Sequence, residues 1–539
     1  MMLPLEPTDD LAKPAFTDAA SCKKWLSQLQ LTNLTLAQGT LRKQLDEFNR
    51  YPMRGKDRLQ TLEALRETVA TVQADYVKKL FGKKLPLIDE EFTALIALSN
   101  LWQSMINGYL RCLQPLDAGD SSLADEAALL SHRCLLYSGL QLGEFLRAGY
   151  EPDGQSWQRF HSIYAQIEER GLQHVAVTDK FSRTGRPVTC CTLYAKTLLL
   201  HRARLIGLSR SQWHVVDRWL DQWGEAFAIE PRCSVSRGDA PPLAVDLAGT
   251  RGLVPLQRAT SAPSMRFLAM VPLSKLIRVK TILLQQGRTP GQLDLGSELD
   301  SKDCNSLLNN LHACWCEQRA ESMVDEPRDA PFVQMCNGLE SIYAHIARKP
   351  FKQASRLEIA DKEVQKQIET FGRVLDQTDR HNLLELGFLV DEWLVEEDSL
   401  MHARLLRKTT STTRLGANQV VCVHVPDAAT YRVGVTTLVS VARSGQPYIG
   451  VRYLPGTPVP VIVRGSASGN LVSGAAAALL LPEISNLRIP ASLLLPRDWF
   501  QAGRILELAL PDGKKQGVSL GLSVEKGNDY ERVSFSFKN

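Results

Sequence analysis

A chain of 539 residues exceeds what one hydrophobic core organises, and it divides into roughly three or four domains. Its 44% hydrophobic and 23% charged residues are those of a globular protein, which excludes the fibrous and disordered classes. The net charge of +4 conceals an asymmetry: residues 401–539 hold 16 Lys and Arg against 8 Asp and Glu, and within 401–470 eight basic residues face a single acid, while residues 1–400 are net acidic.

The first thirteen residues carry acids and prolines where a secretory signal has a basic segment followed by an apolar one, and no apolar run reaches the ~18 residues of a membrane-spanning helix. The expectation is a cytoplasmic protein without a membrane span. From about 19 to 230 the periodicity is helical. Leu59, Leu62, Leu65, Val69 and Val72 form one stripe, and Leu95, Leu98, Leu101, Met105 and Tyr109 form another, in a helix that opens on the acids of Asp89-Glu-Glu-Phe. Further helices are expected over about 123–148 and 155–171 and from Pro187, with Asp153-Gly154 and Arg183-Thr-Gly-Arg-Pro as connecting turns. Helices of this length on short connections predict an antiparallel bundle or an irregular solenoid over 1–230.

Prolines and glycines over 231–272 break the helical pattern, and three short apolar pieces there predict a small β insert. Helix resumes over 273–347, including the segments 301–323 and 332–347. Residues 348–470 read as a linker helix at about 361–375 followed by a β-barrel, and 471–539 as a second small β domain. The fold class expected is therefore multidomain α+β: a helical region with a β insert, then two small barrels.

Motifs for enzymatic chemistry are missing. There is no phosphate-binding Walker loop, dinucleotide fingerprint, His-Glu-x-x-His or nucleophile elbow, and Gly465-Ser-Ala-Ser-Gly469 puts its serine one place late. His312-x-Cys314-x-Cys316 and Cys190-Cys191 lack a second half at zinc-site spacing, so they read as buried thiols; no metal or cofactor is expected.

The segment Tyr431-Arg-Val-Gly-Val through Tyr448-Ile-Gly-Val-Arg-Tyr to Arg464 resembles the closing strands of a PilZ barrel, with an aromatic-x-x-Gly-Val strand followed by an Ile-Gly-Val strand. The helical stretch from Pro187 to Trp223 and the trailing segment up to Phe537 are similar to those of long PilZ-related bacterial proteins. The resemblance implies a non-enzymatic regulator with cyclic di-GMP as candidate ligand and a protein as output partner. In such barrels an Arg-x-x-x-Arg segment supplies planar forks for guanine edges and phosphates, and a later Asp/Asn-x-Ser-x-x-Gly turn supplies short polar groups. Here the turn maps to Thr409-x-Ser411-x-x-Arg414. The upstream pair maps only to Arg348 with Lys352, or Lys352 with Arg356. The ligand-binding expectation thus rests on Ser411 and its basic neighbours Arg404, Arg407, Lys408 and Arg414, more than on Arg348, Lys352 and Arg356. The alternative is a ligand-free scaffold whose degenerate barrel binds proteins. A nucleic-acid partner is the weaker reading, because 401–470 has only Tyr431, Tyr448 and Tyr453 for base stacking.

Overall fold

The computed structural model describes residues 5–117, 119, 121–203, 207–317, 331–351, 388–408, 411–426, 428, 430–465 and 474–538. The chain forms two compact units: Met1–Lys83 with Leu87–Met323, and Lys84–Pro86 with Val324–Asn539.

The first unit is helical, with α1 (Ala19–Leu26), α2 (Leu34–Arg50), α3 (Gly55–Tyr76), α4 (Asp89–Asp117), α5 (Ala127–Arg147), α6 (Gly154–Glu169), α7 (Cys190–Ala203) and α8 (Arg210–Gln222). Short polar side chains set several of the starts. Asp18, Asn33, Asp153 and Ser209 each accept a hydrogen bond from the backbone N–H three residues on, satisfying a donor the helix leaves open. The stripe of α3 (Leu59, Leu62, Leu65, Val69, Val72) meets Leu101, Met105 and Tyr109 of α4 in one core. A four-stranded sheet follows, β1 (Ile229–Glu230), β2 (Leu243–Asp246), β3 (Val254–Pro255) and β4 (Met265–Leu268), in the order β1-β4-β2-β3. Leu243, Val245 and Leu268 join the helical core, so the sheet is an insert and not a separate domain. Helices α9 (Val271–Gln285) and α10 (Ser301–Trp315) complete the unit.

The second unit holds two closed antiparallel barrels. Strands β5 (Phe332–Asn337), β6 (Asp391–Asp398), β7 (His402–Arg407), β8 (Val420–His424), β9 (Tyr431–Val441) and β10 (Pro447–Tyr453) close in the order β10-β7-β6-β5-β8-β9. Strands β11 (Val459–Gly465), β12 (Ala475–Leu481), β13 (Ser492–Pro496), β14 (Ile505–Ala509), β15 (Lys515–Lys526) and β16 (Tyr530–Phe537) close as β11-β12-β13-β16-β15-β14. Helix α11 (Leu339–Ala347) leaves the end of β5. Along β8, Val421 and Val423 pack into the first barrel's core with Trp393, Ile449 and Val451. Val420 and Cys422 pack on the other side, against Leu339 and Ile342 of α11 and against Leu479, Leu481, Leu494 and Tyr530 of the second barrel. A strand buried on both faces carries a continuous apolar run, and Val420-Val-Cys-Val is one.

The helical region followed by two barrels matches the expected architecture, but three assignments within it differ. Residues 332–347 were expected to be one helix. Phe332–Asn337 is instead strand β5, and Gly338, at φ +82°, turns the chain into α11. A short apolar piece fits either period, and length alone did not decide it. Strand β11 was expected in the first barrel, yet it pairs with β12 and β14 and opens the second. Strands β6 and β7 were not anticipated. The acids of Asp391-Glu-Trp-Leu-Val-Glu-Glu-Asp are poor strand formers, and here they are held by basic residues across the sheet. The barrels therefore span 332–453 and 459–537, in place of 348–470 and 471–539. The linker helix expected at 361–375 lies outside the described residues.

Candidate ligand-binding surfaces

Those of the basic residues singled out in the sequence that are described stand in different settings. Along β7, Ala403, Leu405 and Arg407 turn to the barrel interior, while Arg404 and Leu406 alternate to the other face. Arg407 is only 2% exposed, and burial holds its guanidinium below the usual arginine pKa. Its Nη2 lies 3.3 Å from Asp391 Oδ2 and its guanidinium carbon 4.9 Å from the centre of the Trp393 ring, yet none of its three nitrogens makes a hydrogen bond. Arg404 pairs with Glu397 and Lys408 with Glu392, each at 3.5 Å. Ser411 donates to the Thr413 hydroxyl and accepts from the Thr413 N–H. Arg414 donates through Nε (3.1 Å) and Nη2 (2.6 Å) to the Lys84 carbonyl. Arg348 takes a left-handed conformation (φ +54°) after the last turn of α11. Lys352 and Arg356 lie outside the described residues.

The charge skew of 401–470 has a plain origin. Register places Trp393 opposite Arg407 and Glu397 opposite Arg404, so the acids of β6 answer the bases of β7 from just beyond the window. Arg432 is held by both carboxylate oxygens of Asp398 at 3.0 Å, Arg452 pairs with Glu525, and Arg464 lies 3.8 Å from Glu507.

A different constellation stands in the helical unit. Glu63 and Arg66 of α3, Arg133 of α5 and Asp179 form a network of two positive and two negative charges, buried except for the half-buried Glu63. Arg66 donates to Glu63 (3.1 Å), Asp179 (2.6 Å) and the Tyr137 hydroxyl (3.0 Å). Arg133 donates to both Glu63 oxygens (2.9 and 3.1 Å), to Asp179 (3.1 Å) and to His132 Nδ1 (3.1 Å). Burial pushes the Glu63 and Asp179 carboxyls up, but hydrogen bonds and charge from the two arginines outweigh it and hold both below the usual carboxylate range.

Asp179 is also the root of a surface loop. Val177 and Val188 exchange two backbone hydrogen bonds (3.0 and 2.9 Å) that close residues 178–187 into a compact excursion. Within it Asp179 accepts from the Phe181 N–H at 3.0 Å, and Gly185, at φ +64°, makes the return. The loop presents Lys180, Arg183 and Arg186. Arg183 reaches Asp217 of α8 at 2.6 Å, where Lys196 competes for the same carboxylate at 2.8 Å. Burial, then the charges of Arg183, Arg210 and Arg147, push the His214 imidazole below the usual value against the opposing charge of Asp217. The Arg210 guanidinium lies 3.6 Å from the centre of the Phe81 ring. The signal in sequence was Lys180, Arg183 and Arg186 at every third position, hidden by the net acidity of the first 400 residues.

The sulfur clusters are otherwise occupied. His312 Nε2 accepts from Arg278 (3.1 Å) and its Nδ1 lies 3.2 Å from Glu317, while the Cys314 thiol donates to the Arg202 carbonyl at 3.4 Å. Among the described residues no group of three or more His, Cys, Asp or Glu side chains is placed to hold a metal ion, and no helix is long and apolar enough to cross a membrane.

Residues 20–232 match the family model described as the N-terminal domain of the cyclic-di-GMP receptor FimW, and residues 462–537 match that of the FimW C-terminal β-barrel domain. Together they mark a FimW-family chain. The first match runs from α1 to β1 and contains both the buried network and the loop 178–187; the second coincides with the β11–β16 barrel. The barrel of 332–453 lies between the two FimW matches. No curated protein and no solved structure matches the chain.

Proposed function

We propose that this FimW-family chain is a regulatory receptor that binds cyclic di-GMP and conveys its binding state to a protein partner. The observation that carries the reading is the pair of family matches, the first of which describes the N-terminal domain of a cyclic-di-GMP receptor. Arginine density within that span fits the ligand's chemistry, since two phosphodiesters and two guanines call for planar, bidentate donors. Titrating the full chain with cyclic di-GMP, with GMP as the comparison, tests it. Saturable binding of the cyclic dinucleotide at a lower concentration than GMP is expected; a flat titration leaves the ligand-free scaffold as the reading to pursue.

We read the 332–453 barrel as a PilZ-type barrel. Its support is the pairing of β9, carrying Tyr431-Arg-Val-Gly434-Val, with β10, carrying Ile449-Gly450-Val451. A ligand seat beside Ser411 and Arg414, with Arg404 and Lys408 on or next to β7, is the second placement, favoured by Ser411 and Arg414 sharing the segment between β7 and β8.

A further inference from the structure

We propose that the loop 178–187 of the helical unit is the seat of the dinucleotide, with Arg183 and Arg186 as its guanidinium forks and Lys180 as a countercharge to phosphate. This placement rests on the receptor reading above and adds to it where the ligand sits.

Charge is the first argument. The loop's one acid, Asp179, is turned inward and shared by Arg66 and Arg133, so it does not neutralise the loop's own cations. Among the described residues neither Arg186 nor Lys180 has an acidic partner, while Arg183 and Lys196 together face Asp217 and Asp221, the latter 3.9 Å from Arg183. The charges of Arg210 and of Arg147, itself paired with Glu144 at 2.8 Å, act with that of Arg183 on His214. On the PilZ-like barrel, by contrast, Arg404, Arg407, Lys408, Arg432 and Arg452 are each matched by an acid.

Shape is the second. A guanine offers O6 and N7 on one edge, the pattern that a guanidinium fork grips with two hydrogen bonds, and its face stacks on flat cations and rings. Arginines three positions apart on a closed loop present two such forks, and Phe181, 38% exposed, stands between Lys180 (4.7 Å from its ring centre) and Arg66 (4.8 Å). Arg210 over Phe81 supplies a further layered pair. Preorganisation is the third. The Val177–Val188 closure and the Arg66/Arg133 grip on Asp179 fix the loop's root before ligand arrives, which reduces the ordering cost of binding.

The test is calorimetric titration of the full chain with cyclic di-GMP. Arg183→Ala and Arg186→Ala should each weaken binding at least about tenfold, the loss expected for one charge-assisted contact. Arg186→Lys keeps the charge and loses the fork, so it should weaken binding too. All are solvent-exposed positions, and an unchanged melting temperature checks that the fold is intact. Parent-like affinity in both loop alanine variants, or loss confined to Arg414→Ala, overturns the placement while leaving the receptor reading standing. A parent protein that does not bind the dinucleotide overturns the receptor reading, and the placement with it.

Discussion

Arg66 Nη2 donates to Asp179 Oδ2 across 2.6 Å, and this bond fastens the middle of α3 to the root of the 178–187 loop. Both side chains are buried, so each compensates a charge that water does not reach. Removing Asp179 leaves two arginines facing Glu63 alone. Asp179→Ala should therefore destabilise the protein by about 3–5 kcal/mol, the usual result of stranding a buried charge. Urea unfolding measures that loss. Amide exchange should show the loop's protection falling further than that of α5, whereas uniform loss would assign the network to the core alone.

Acid should unfold the helical unit through its histidines. His161 accepts from the Tyr194 hydroxyl (2.6 Å) and donates to the Arg251 carbonyl (2.8 Å), an arrangement that needs the neutral ring. Burial pushes its pKa from 6.5 down to about 4, and burial followed by the charge of Arg133 does the same for His132. The unfolded chain then binds protons that the folded chain refuses, so stability is full above about pH 6.5, declines below it and is lost through pH 4. Each ring is worth about 3 kcal/mol across that window. Glu63 and Asp179, held low, lose their contribution in the same direction below the carboxylate range. Trp157 stacks on His161 with ring centres 5.5 Å apart, so its fluorescence during urea unfolding at successive pH values is the readout. Stability that is flat between pH 7 and 4 would contradict the assignment.

Gly434→Ala should loosen the first barrel. A Cβ there would lie 2.6 Å from Val451 Cγ1 and 2.8 Å from the Arg452 carbonyl oxygen, and the carbonyl belongs to a paired strand that cannot step aside. A cost of about 1–3 kcal/mol is expected, read as a lower urea midpoint. Gly445→Ala is the companion: its Cβ meets nothing within 4 Å, so any loss there comes from its φ of +82° and not from crowding.

Arg407 and Asp391 should respond unequally. Asp391→Ala leaves a guanidinium buried beside Trp393 with no countercharge, and about 3–5 kcal/mol should be lost. Arg407→Met removes the charge, fills the space with apolar atoms and should be neutral or stabilising when combined with Asp391→Leu. Equal destabilisation by the double and single variants would mean that the pair holds the barrel's register.

Periodicity was informative element by element and silent between elements. The stripes of α3 and α4 and the acids that open α4 lie where residue spacing places them. Which strand joins which barrel is a pairing question: β11 follows β10 closely enough to be its hairpin partner, yet its neighbours are β12 and β14. The charge pattern was least legible for the same reason. A run of bases without acids looked ligand-seeking because β6, their counterweight, was unread. Nor does the sequence show that Asp179 leaves the cations of its own turn unneutralised, because its carboxylate is held by Arg66 and Arg133, 113 and 46 positions away.

The seam occupied by α11 makes the barrel pair a single inheritance. Leu339 and Ile342 are sealed by residues from both barrels, and the Val420 N–H on one is capped by the Asp529 carboxylate on the other. A stop codon after Tyr453 would consequently not yield a shorter protein with one working barrel. It would bare Val420, Cys422, Val433 and Val435 to water and unsettle the half that was spared. Through that shared core the two barrels should melt as one.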